Sequence, residues 1–201
     1  MKPTPERGRW GILGGTFDPV HNGHLWLADE IRIATELDGV LLTPSQKHPL
    51  KQNHCQASFA HRLAMLKLVA TDHVGFLVSA IEQEMNLSGY TLDTVTALKR
   101  QYPHTRFYFI IGADILGELD RWHNLKALLN EVPMLVGTRP SFDLTQFEGD
   151  DAGRIEFIPT TPVDISSTDI RARIKGGIDK GLEQMVPPKV REYIRKNGLY
   201  T

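Results

Sequence analysis

Apolar residues along this chain fall into six short runs that are mostly separated by segments with helical spacing. Runs of this length, bounded by polar and glycine-containing segments, are typical of β-strands. The runs cover residues 10–13, 40–43, 74–80, 107–111, 132–138 and 155–158. Because residues 107–111 are apolar without interruption, they predict a strand that is buried on both faces.

Helical spacing is clearest between the second and third runs. The apolar residues that recur there at intervals of three and four are Phe59, Leu63, Leu66 and Ala70. A similar face follows the first run, at Leu27, Ala28, Ile31 and Ala34. Further helices are expected at residues 91–99 and 187–196, the second of which has a proline near its start and Gly198 after its end. The alternation of strands and helices predicts an α/β fold, with a mainly parallel sheet and helices on both faces.

A length of 201 residues suits one α/β domain with a sizeable core. We expect residues 1–9 to form a flexible tail and residues 10–201 a single domain. The formal net charge of −1 provides no global field that would recruit nucleic acid or an anionic membrane.

Three features of the sequence predict a cytoplasmic location. The single cysteine, Cys55, cannot form an internal disulfide, which fits a reducing compartment. Residues 1–9 lack the apolar core of a secretory signal. The longest apolar run, residues 107–111, is far too short to cross a bilayer.

Residues 14–24, GGTFDPVHNGH, join the first predicted strand to the first predicted helix. A glycine turn at the carboxyl end of a first strand, opening onto a helix N-terminus, binds phosphates in open α/β sheets. The segment contains neither a Walker lysine nor G-x-G-x-x-G, so neither common phosphate loop fits. His21 and His24 lie three residues apart in the first turn of the helix. Both side chains can therefore face a ligand that binds the free backbone N–H groups there. The alternative is a structural or metal-binding HxxH, and a metal site would need a third ligand and a supporting shell.

Residues 166–171 form a second candidate anion site. Hydroxyl side chains precede a helix there, so hydroxyls and helix N–H groups converge on one point. Arg171, one turn into the helix, can bind a phosphate with two parallel hydrogen bonds. Ser166 and Asp169 also have the spacing of a capping box, which needs no ligand. We expect both roles together.

These segments resemble the T/HxGH signature of the nucleotidylyltransferase superfamily, and the GGTFDPxHxGH form resembles bacterial nicotinate-nucleotide adenylyltransferases in particular. Residues 165–171 are similar to the ISSTxIR motif of that family. Residues 90–94, residues 111–114 and Trp122 match in the family's order and rough spacing, so the resemblance runs from about Trp10 to Tyr200. It implies a Rossmann-like doubly wound fold. It also implies adenylyl transfer from ATP, with Mg²⁺ carried on the ATP, to nicotinate mononucleotide, which yields nicotinate adenine dinucleotide and pyrophosphate in NAD biosynthesis.

The resemblance implies that His21 and His24 stabilise the transition state at the α-phosphorus and that Arg171 is the third catalytic residue. Gly23 would remove a side chain where the nucleotide approaches closely. Asp114 would contact the ribose or a water near the metal, and the alternative is an N-cap for the helix that follows it. The expected ATP contacts are Gly14, Gly15, Thr16, Phe17, His21, Gly23, His24, Asp114, Ile165, Ser166, Ser167 and Arg171.

On the mononucleotide side, the resemblance implies that Trp122 stacks on the nicotinate ring, whereas a tryptophan here without that context is more often part of a core. Backbone amides at Thr91 and His123 would bind the nicotinate carboxylate, and Tyr90 adjoins the first of them. The basic residues 47–51 would bind the 5′-phosphate through Lys51, although a basic loop is more often simply solvated. This chain departs from the family in two places. The residues of that loop stand in a different order, and Gly89 stands where the family has serine.

Four functions remain to be separated. The first is an adenylyltransferase that uses nicotinate mononucleotide, and the second is one that uses nicotinamide mononucleotide. Pantetheine-phosphate adenylyltransferase is disfavoured by the greater length of this chain and by the Tyr-Thr and Trp matches. A non-catalytic nucleotide-binding regulator would be indicated by loss of a motif histidine, and both are present. The expected partners are ATP and nicotinate mononucleotide, without nucleic acid or membrane, and a homo-oligomer is left open.

Overall fold

Six strands pair in parallel within the described part of the chain, as the alternation of strands and helices predicts. The structure, a computed structural model, describes residues 5–47, 55–138 and 153–201. Its strands are β1 (Gly8–Gly15), β2 (Gly39–Pro44), β3 (Phe76–Val78), β4 (Thr105–Gly112), β5 (Met134–Thr138) and β6 (Ile155–Pro159). Their order across the sheet is β3-β2-β1-β4-β5-β6, which is a doubly wound arrangement.

Helices in the described connecting segments cover both faces of the sheet. The helices are α1 (Asn22–Ala34), α2 (Phe59–Asp72), α3 (Ile81–Glu84), α4 (Thr91–Gln101), α5 (Leu125–Glu131), α6 (Ser167–Lys175), α7 (Leu182–Met185) and α8 (Pro188–Lys196). A 3₁₀ helix (Ala113–Arg121) follows β4. Within the described ranges, no helix is both long and apolar enough to cross a membrane.

Two buried clusters lie on opposite sides of the sheet. Leu13 of β1 and Ile110 of β4 belong to the cluster that includes α1, α2 and α8. Their neighbours Ile12 and Phe109 belong to the cluster that includes α4 and α5. Successive strand residues point to opposite faces, so unbroken apolar runs supply both clusters at once. The predicted α/β fold, with helices on both faces, is confirmed.

The order of the strands reverses between β1 and β4. Strands β2 and β3 lie on one side of β1, and the later strands lie on the other. Ligands of open α/β sheets bind at the carboxyl ends of the strands beside such a switch point. The histidine motif leaves β1 at this position, next to Pro44 at the end of β2.

All six predicted strands differ from the observed strands at one end or at both, and three of these differences have an evident structural cause. β1 begins at Gly8 rather than at residue 10, because Gly8 pairs with Thr105 of β4. β3 contains only Phe76–Val78, since it is an edge strand and Val74 before it is 91% exposed. β5 starts at Met134 rather than at residue 132, because Val132 is the C-cap of α5.

The buried face of α2 is rotated relative to the predicted face. Its buried residues are Arg62, Met65, Leu66 and Val69, whereas Phe59, Leu63 and Ala70 are only partly buried. An apolar pattern cannot detect a buried arginine, and this omission displaced the predicted face by about one residue. In α1 the predicted face is also partly wrong, because Ala34 is exposed and Leu25 is buried.

Candidate active site

His21 and His24 lie at the N-terminus of α1, as the motif predicts. His21 is the N-cap and His24 is the third residue of the helix, and their rings stack with centroids 3.7 Å apart. The backbone N–H of His21 donates to Nδ1 of His24 at 3.3 Å. Since a backbone N–H only donates, Nδ1 of His24 carries no proton and the neutral ring holds its proton on Nε2. His24 can therefore donate from Nε2 to a ligand at the helix N-terminus.

Burial disfavours the protonated form of both histidines. It lowers the pKa of His21 to about 4 from the ordinary value of 6.5. The pKa of His24 also lies well below its ordinary value, first because of burial and then because of the adjacent His21. A bound polyanion favours the charged form of a neighbouring histidine and so raises both pKa values.

Protonation of His21 should destabilise the fold as the pH falls. At pH 7 this residue is neutral in both the folded and the unfolded chain. Between its unfolded pKa of 6.5 and its folded pKa of about 4, only the unfolded chain takes up the proton. Between pH 7 and pH 5, wild type should therefore lose about 2 kcal/mol more unfolding free energy than His21→Asn, which retains a polar N-cap. Urea unfolding at the two pH values measures the difference, and parallel pH profiles would contradict it.

Phe17 supports the His24 ring from inside the protein. Its side chain has no exposed surface, and its ring meets that of His24 edge-on with centroids 4.9 Å apart. A Cβ atom on Gly15 would lie 3.3 Å from the Phe17 ring, so the glycine allows this close packing. Consequently, the predicted ATP contact at Phe17 can involve only its backbone.

The second motif packs directly against the first. Nη1 of Arg171 donates to the carbonyl of Asp18 at 2.7 Å, and the Ser167 hydroxyl donates to the carbonyl of Pro19 at 2.9 Å. A Cβ atom on Gly23 would lie 3.6 Å from Cβ of Ile165, so this glycine also lies where the two motifs meet. The two candidate anion sites that the sequence predicts separately are therefore adjacent.

The capping role of Ser166 is confirmed. Ser166 is the N-cap of α6, and its side chain accepts the backbone N–H of Asp169 at 3.1 Å. The same helix presents Arg171, whose Nε is buried and has no hydrogen-bond partner among the described residues. Capping thus holds the segment in place and leaves a guanidinium donor unused.

Asp114 does not act as an N-cap, so that alternative is wrong. The 3₁₀ helix after β4 has Gly112 at its N-cap position and no side-chain cap. Asp114 lies in the first turn of that helix and is exposed, at the carboxyl end of the strand that pairs with β1. This position leaves its carboxylate available to a ligand, and the contact with a ribose or a water stays a prediction.

The structure brings the two predicted mononucleotide segments together. Tyr90 is the N-cap of α4 and Thr91 its first residue, while Trp122 directly follows the 3₁₀ helix. The rings of Tyr90 and His123 stack with centroids 4.2 Å apart. Trp122 packs edge-on against Phe109 and is only partly buried, so it combines a core contact with an accessible surface.

Glycine at position 89 has a structural cause. Its φ is +89°, and a Cβ atom there would lie 2.5 Å from the carbonyl oxygen of Lys47. A serine side chain does not fit without movement of that backbone. Ser88, one residue earlier, accepts the backbone N–H of Tyr90 at 3.0 Å and donates to Asp93. The start of α4 is therefore organised by the hydroxyl at position 88.

Most of the predicted basic loop, including Lys51 and His48, lies outside the described residues. Lys47, its described end, is exposed, and its Nζ lies 3.3 Å from Oδ1 of Asn86. The assignment of Lys51 to the 5′-phosphate stays a prediction.

Two buried charged residues that the sequence analysis overlooked hold the loops of the site. Arg62, 2% exposed, donates to the carbonyls of Thr16 at 2.5 Å and Ser45 at 2.9 Å, and so joins the loops after β1 and β2. Glu82 accepts the backbone N–H of Gln46 and the hydroxyl of Thr94, each at 2.9 Å. Arg62 could have been recognised in the sequence from its i, i+3, i+4, i+7 spacing with apolar residues of α2. No comparable pattern in the sequence marks Glu82.

The metal-binding alternative for His21 and His24 lacks a third ligand in the part of the chain that the structure describes. No group of three histidine, cysteine, aspartate or glutamate side chains is arranged there to hold an ion. Moreover, Nδ1 of His24 is already occupied by a backbone N–H.

Comparison with known proteins agrees with this geometry. A family model described as cytidylyltransferase-like matches residues 12–173. The nicotinate-nucleotide adenylyltransferase of Bacillus subtilis strain 168 is 39% identical, over 94% of this chain and 97% of that protein. A probable nicotinate-nucleotide adenylyltransferase of Moorella thermoacetica is 38% identical, over 100% of this chain and 95% of that protein.

A solved structure shares the fold at lower identity. Plasmodium falciparum nicotinic acid mononucleotide adenylyltransferase, complexed with NaAD, superposes with a TM-score of 0.78 at 20% identity. The match covers 96% of this chain and 97% of that one. At this level of identity, the likeness supports the fold and leaves the chemistry to the site itself.

Proposed function

This chain belongs to the nicotinate-nucleotide adenylyltransferase family of cytidylyltransferase-like proteins, and we infer that it transfers the adenylyl group of ATP to nicotinate mononucleotide. The products are nicotinate adenine dinucleotide and pyrophosphate, in a step of NAD biosynthesis. The observation that carries the assignment is the joining of the histidine motif to the Arg171 motif at the carboxyl end of β1.

This reaction requires positioning more than proton transfer. The nucleophile is a phosphate oxygen that is already anionic at neutral pH, so its attack does not require a general base. The enzyme must hold two phosphate groups together and stabilise the charge that develops on the leaving pyrophosphate. Among the described residues, the two motifs contribute many hydrogen-bond donors and no pair of carboxylates, which fits this task.

We assign the α-phosphate to the two histidines. His24 donates from Nε2, and the stacked His21 lies beside it at the same helix terminus. Backbone groups of the turn from Gly14 to Phe17 lie at the end of β1 and approach the same ligand. Because burial lowers the pKa of both histidines, they act on the α-phosphate as neutral hydrogen-bond donors.

The β- and γ-phosphates are assigned to the N-terminus of α6. Ser166, Ser167 and Arg171 lie on its first turns. The helix N-terminus contributes N–H groups and a positive dipole end, which favour an anion. Arg171, on the same helix, contributes the positive charge of its guanidinium, which the carbonyl of Asp18 holds through Nη1. The triphosphate would thus extend from one helix N-terminus to the other.

The nicotinate ring is assigned to the opposite segment of the site. The Tyr90–His123 ring stack joins the two segments that carry the backbone amides of Thr91 and His123. Both can donate to a carboxylate, and the accessible surface of Trp122 offers a stacking face for the ring.

Magnesium enters as part of the MgATP substrate. Mg²⁺ usually binds through one or two carboxylates together with substrate phosphates, and it keeps several waters. The exposed Asp114 carboxylate, at the end of β4, is suited to such a contact. When bound, the ion neutralises charge on the phosphates.

Arg171→Lys and Arg171→Ala should both impair the use of ATP, because the lysine ammonium cannot reproduce the planar fork of donors. We expect kcat/KM for ATP to fall by about 10-fold or more in each, as for loss of a charge-assisted hydrogen bond. Arg173→Lys is the matched control, since its guanidinium pairs with Asp169 on the same helix. Unchanged steady-state kinetics in Arg171→Lys would favour a purely capping role for this segment.

Release of pyrophosphate tests the assignment directly. Purified protein and MgATP are mixed in turn with nicotinate mononucleotide, nicotinamide mononucleotide and pantetheine phosphate. Rapid release with the first substrate supports the proposal. Faster release with either of the others reassigns the substrate, and release with none removes the catalytic assignment.

A further inference from the structure

We propose that Tyr200 is a positioning residue for adenylyl transfer, which acts by locking Asp18 and, through Asp18, the guanidinium of Arg171. Tyr200 is 182 residues from Asp18 in sequence, yet its hydroxyl donates to Oδ1 of Asp18 at 2.8 Å. The inference rests on the proposed function, because it takes Arg171 to be a ligand of the triphosphate.

Asp18 is a buried junction between separate parts of the chain. Only 2% of its surface is exposed. Besides Tyr200, its carboxylate accepts the backbone N–H groups of Gln56 at 2.7 Å and Ala57 at 3.0 Å. A buried carboxylate is tolerated when such donors satisfy it, and hydrogen bonds to a charged acceptor are stronger than neutral ones. Loss of one donor therefore changes where the carboxylate can rest.

The backbone of Asp18 transmits that position to the site. Its carbonyl oxygen accepts Nη1 of Arg171 at 2.7 Å. Three residues later the chain reaches His21, the N-cap of α1. A displacement of Asp18 would consequently move the Arg171 fork and the start of the histidine motif relative to each other.

Tyr200 is itself held firmly. Only 7% of its surface is exposed, and its backbone has a φ of +67°, which a non-glycine residue adopts only when its surroundings impose it. The preceding backbone N–H, that of Leu199, donates to the carbonyl of Ile194 in α8. Burial, followed by the negative charge of Asp18, raises the pKa of Tyr200 above its ordinary value, so its hydroxyl keeps its proton. The donor to Asp18 is thus permanent at neutral pH.

The chain offers a matched pair of variants. Tyr200→Phe removes only the hydroxyl that reaches Asp18. Tyr193→Phe removes a hydroxyl whose partner, at 3.0 Å, is Nδ1 of His61 rather than Asp18. We expect Tyr200→Phe to lower kcat about 10-fold and to weaken binding of α,β-methylene ATP by a similar factor. Tyr193→Phe should change both quantities less than about twofold, even where it lowers the unfolding midpoint. Equal kinetics and equal affinity in the two variants would overturn the proposal.

A double-mutant cycle separates positioning from general stabilisation. If Tyr200 acts through Arg171, adding Tyr200→Phe to Arg171→Ala should lower kcat/KM for ATP less than about twofold further. If Tyr200 only supports the fold, Tyr200→Phe should lower kcat/KM in the Arg171→Ala background by the same factor as in wild type, and the proposal fails. Single-turnover assays at high enzyme concentration keep the slow variants measurable.

Binding of the ATP analogue is measured without any mononucleotide, which keeps this inference distinct from the proposed function. Wild type that binds the analogue but releases no pyrophosphate with nicotinate mononucleotide would contradict the proposed function. Tyr200→Phe that binds it as wild type does would contradict the role of Tyr200.

Discussion

Replacement of His21 or His24 by alanine is expected to lower kcat by about 10²–10³, with a much smaller change in KM for ATP. The reason is that charge at the α-phosphorus is greater in the transition state than in the bound substrate, so a donor aimed there contributes mainly to the rate. The two stacked rings lie at the N-terminus of α1, where the proton of His24 is directed to Nε2. Steady-state kinetics with MgATP and nicotinate mononucleotide measure the effect.

Two further variants sharpen this prediction. His24→Gln can place an amide N–H near the position of Nε2, so it should recover part of the lost rate. His61→Ala removes a histidine that pairs with Tyr193 outside the site, and its kcat should stay near that of wild type. A folded His21→Ala or His24→Ala protein with near-normal turnover would remove that histidine from the mechanism.

The second large effect concerns the choice of mononucleotide. We expect kcat/KM to favour nicotinate over nicotinamide mononucleotide by about 10⁴. A carboxylate accepts hydrogen bonds from the backbone N–H groups of Thr91 and His123. The NH₂ group of nicotinamide would instead place its own N–H donors against these backbone donors. The exposed position of His123 allows water to reduce this ratio. The measurement is kcat/KM for each mononucleotide at saturating MgATP.

Trp122→Ala provides the control for that ratio. Stacking on the ring does not distinguish a carboxylate from an amide, so this variant should weaken both substrates by a similar factor. Equal kcat/KM values for the two substrates in wild type would contradict the carboxylate assignment and leave the adenylyl transfer itself intact. If Trp122→Ala weakened only one of the two substrates, Trp122 would also distinguish the carboxylate from the amide on the ring.

Local features of the sequence determined the fold class and most of the candidate site. Buried parallel strands are apolar on both faces, so their runs can be recognised without knowledge of their neighbours. The glycine turn and the HxxH spacing of residues 14–24 likewise depend on consecutive residues, and α1 does begin at this motif. The capping pattern at Ser166 is equally local, and it is confirmed. The family resemblance then supplied the substrate, which no spacing rule contains.

Contacts between distant segments could not be predicted from local sequence patterns. Tyr200 meets Asp18 and Arg62 joins two loops because helices and strands pack in one particular arrangement, which periodicity does not encode. The stack of Tyr90 on His123 arises in the same way. The lowered pKa of His21 depends on desolvation, a property of the surrounding atoms rather than of the residue type. Local sequence patterns therefore show which chemical groups are available, while packing and burial set the orientation and the pKa of each group.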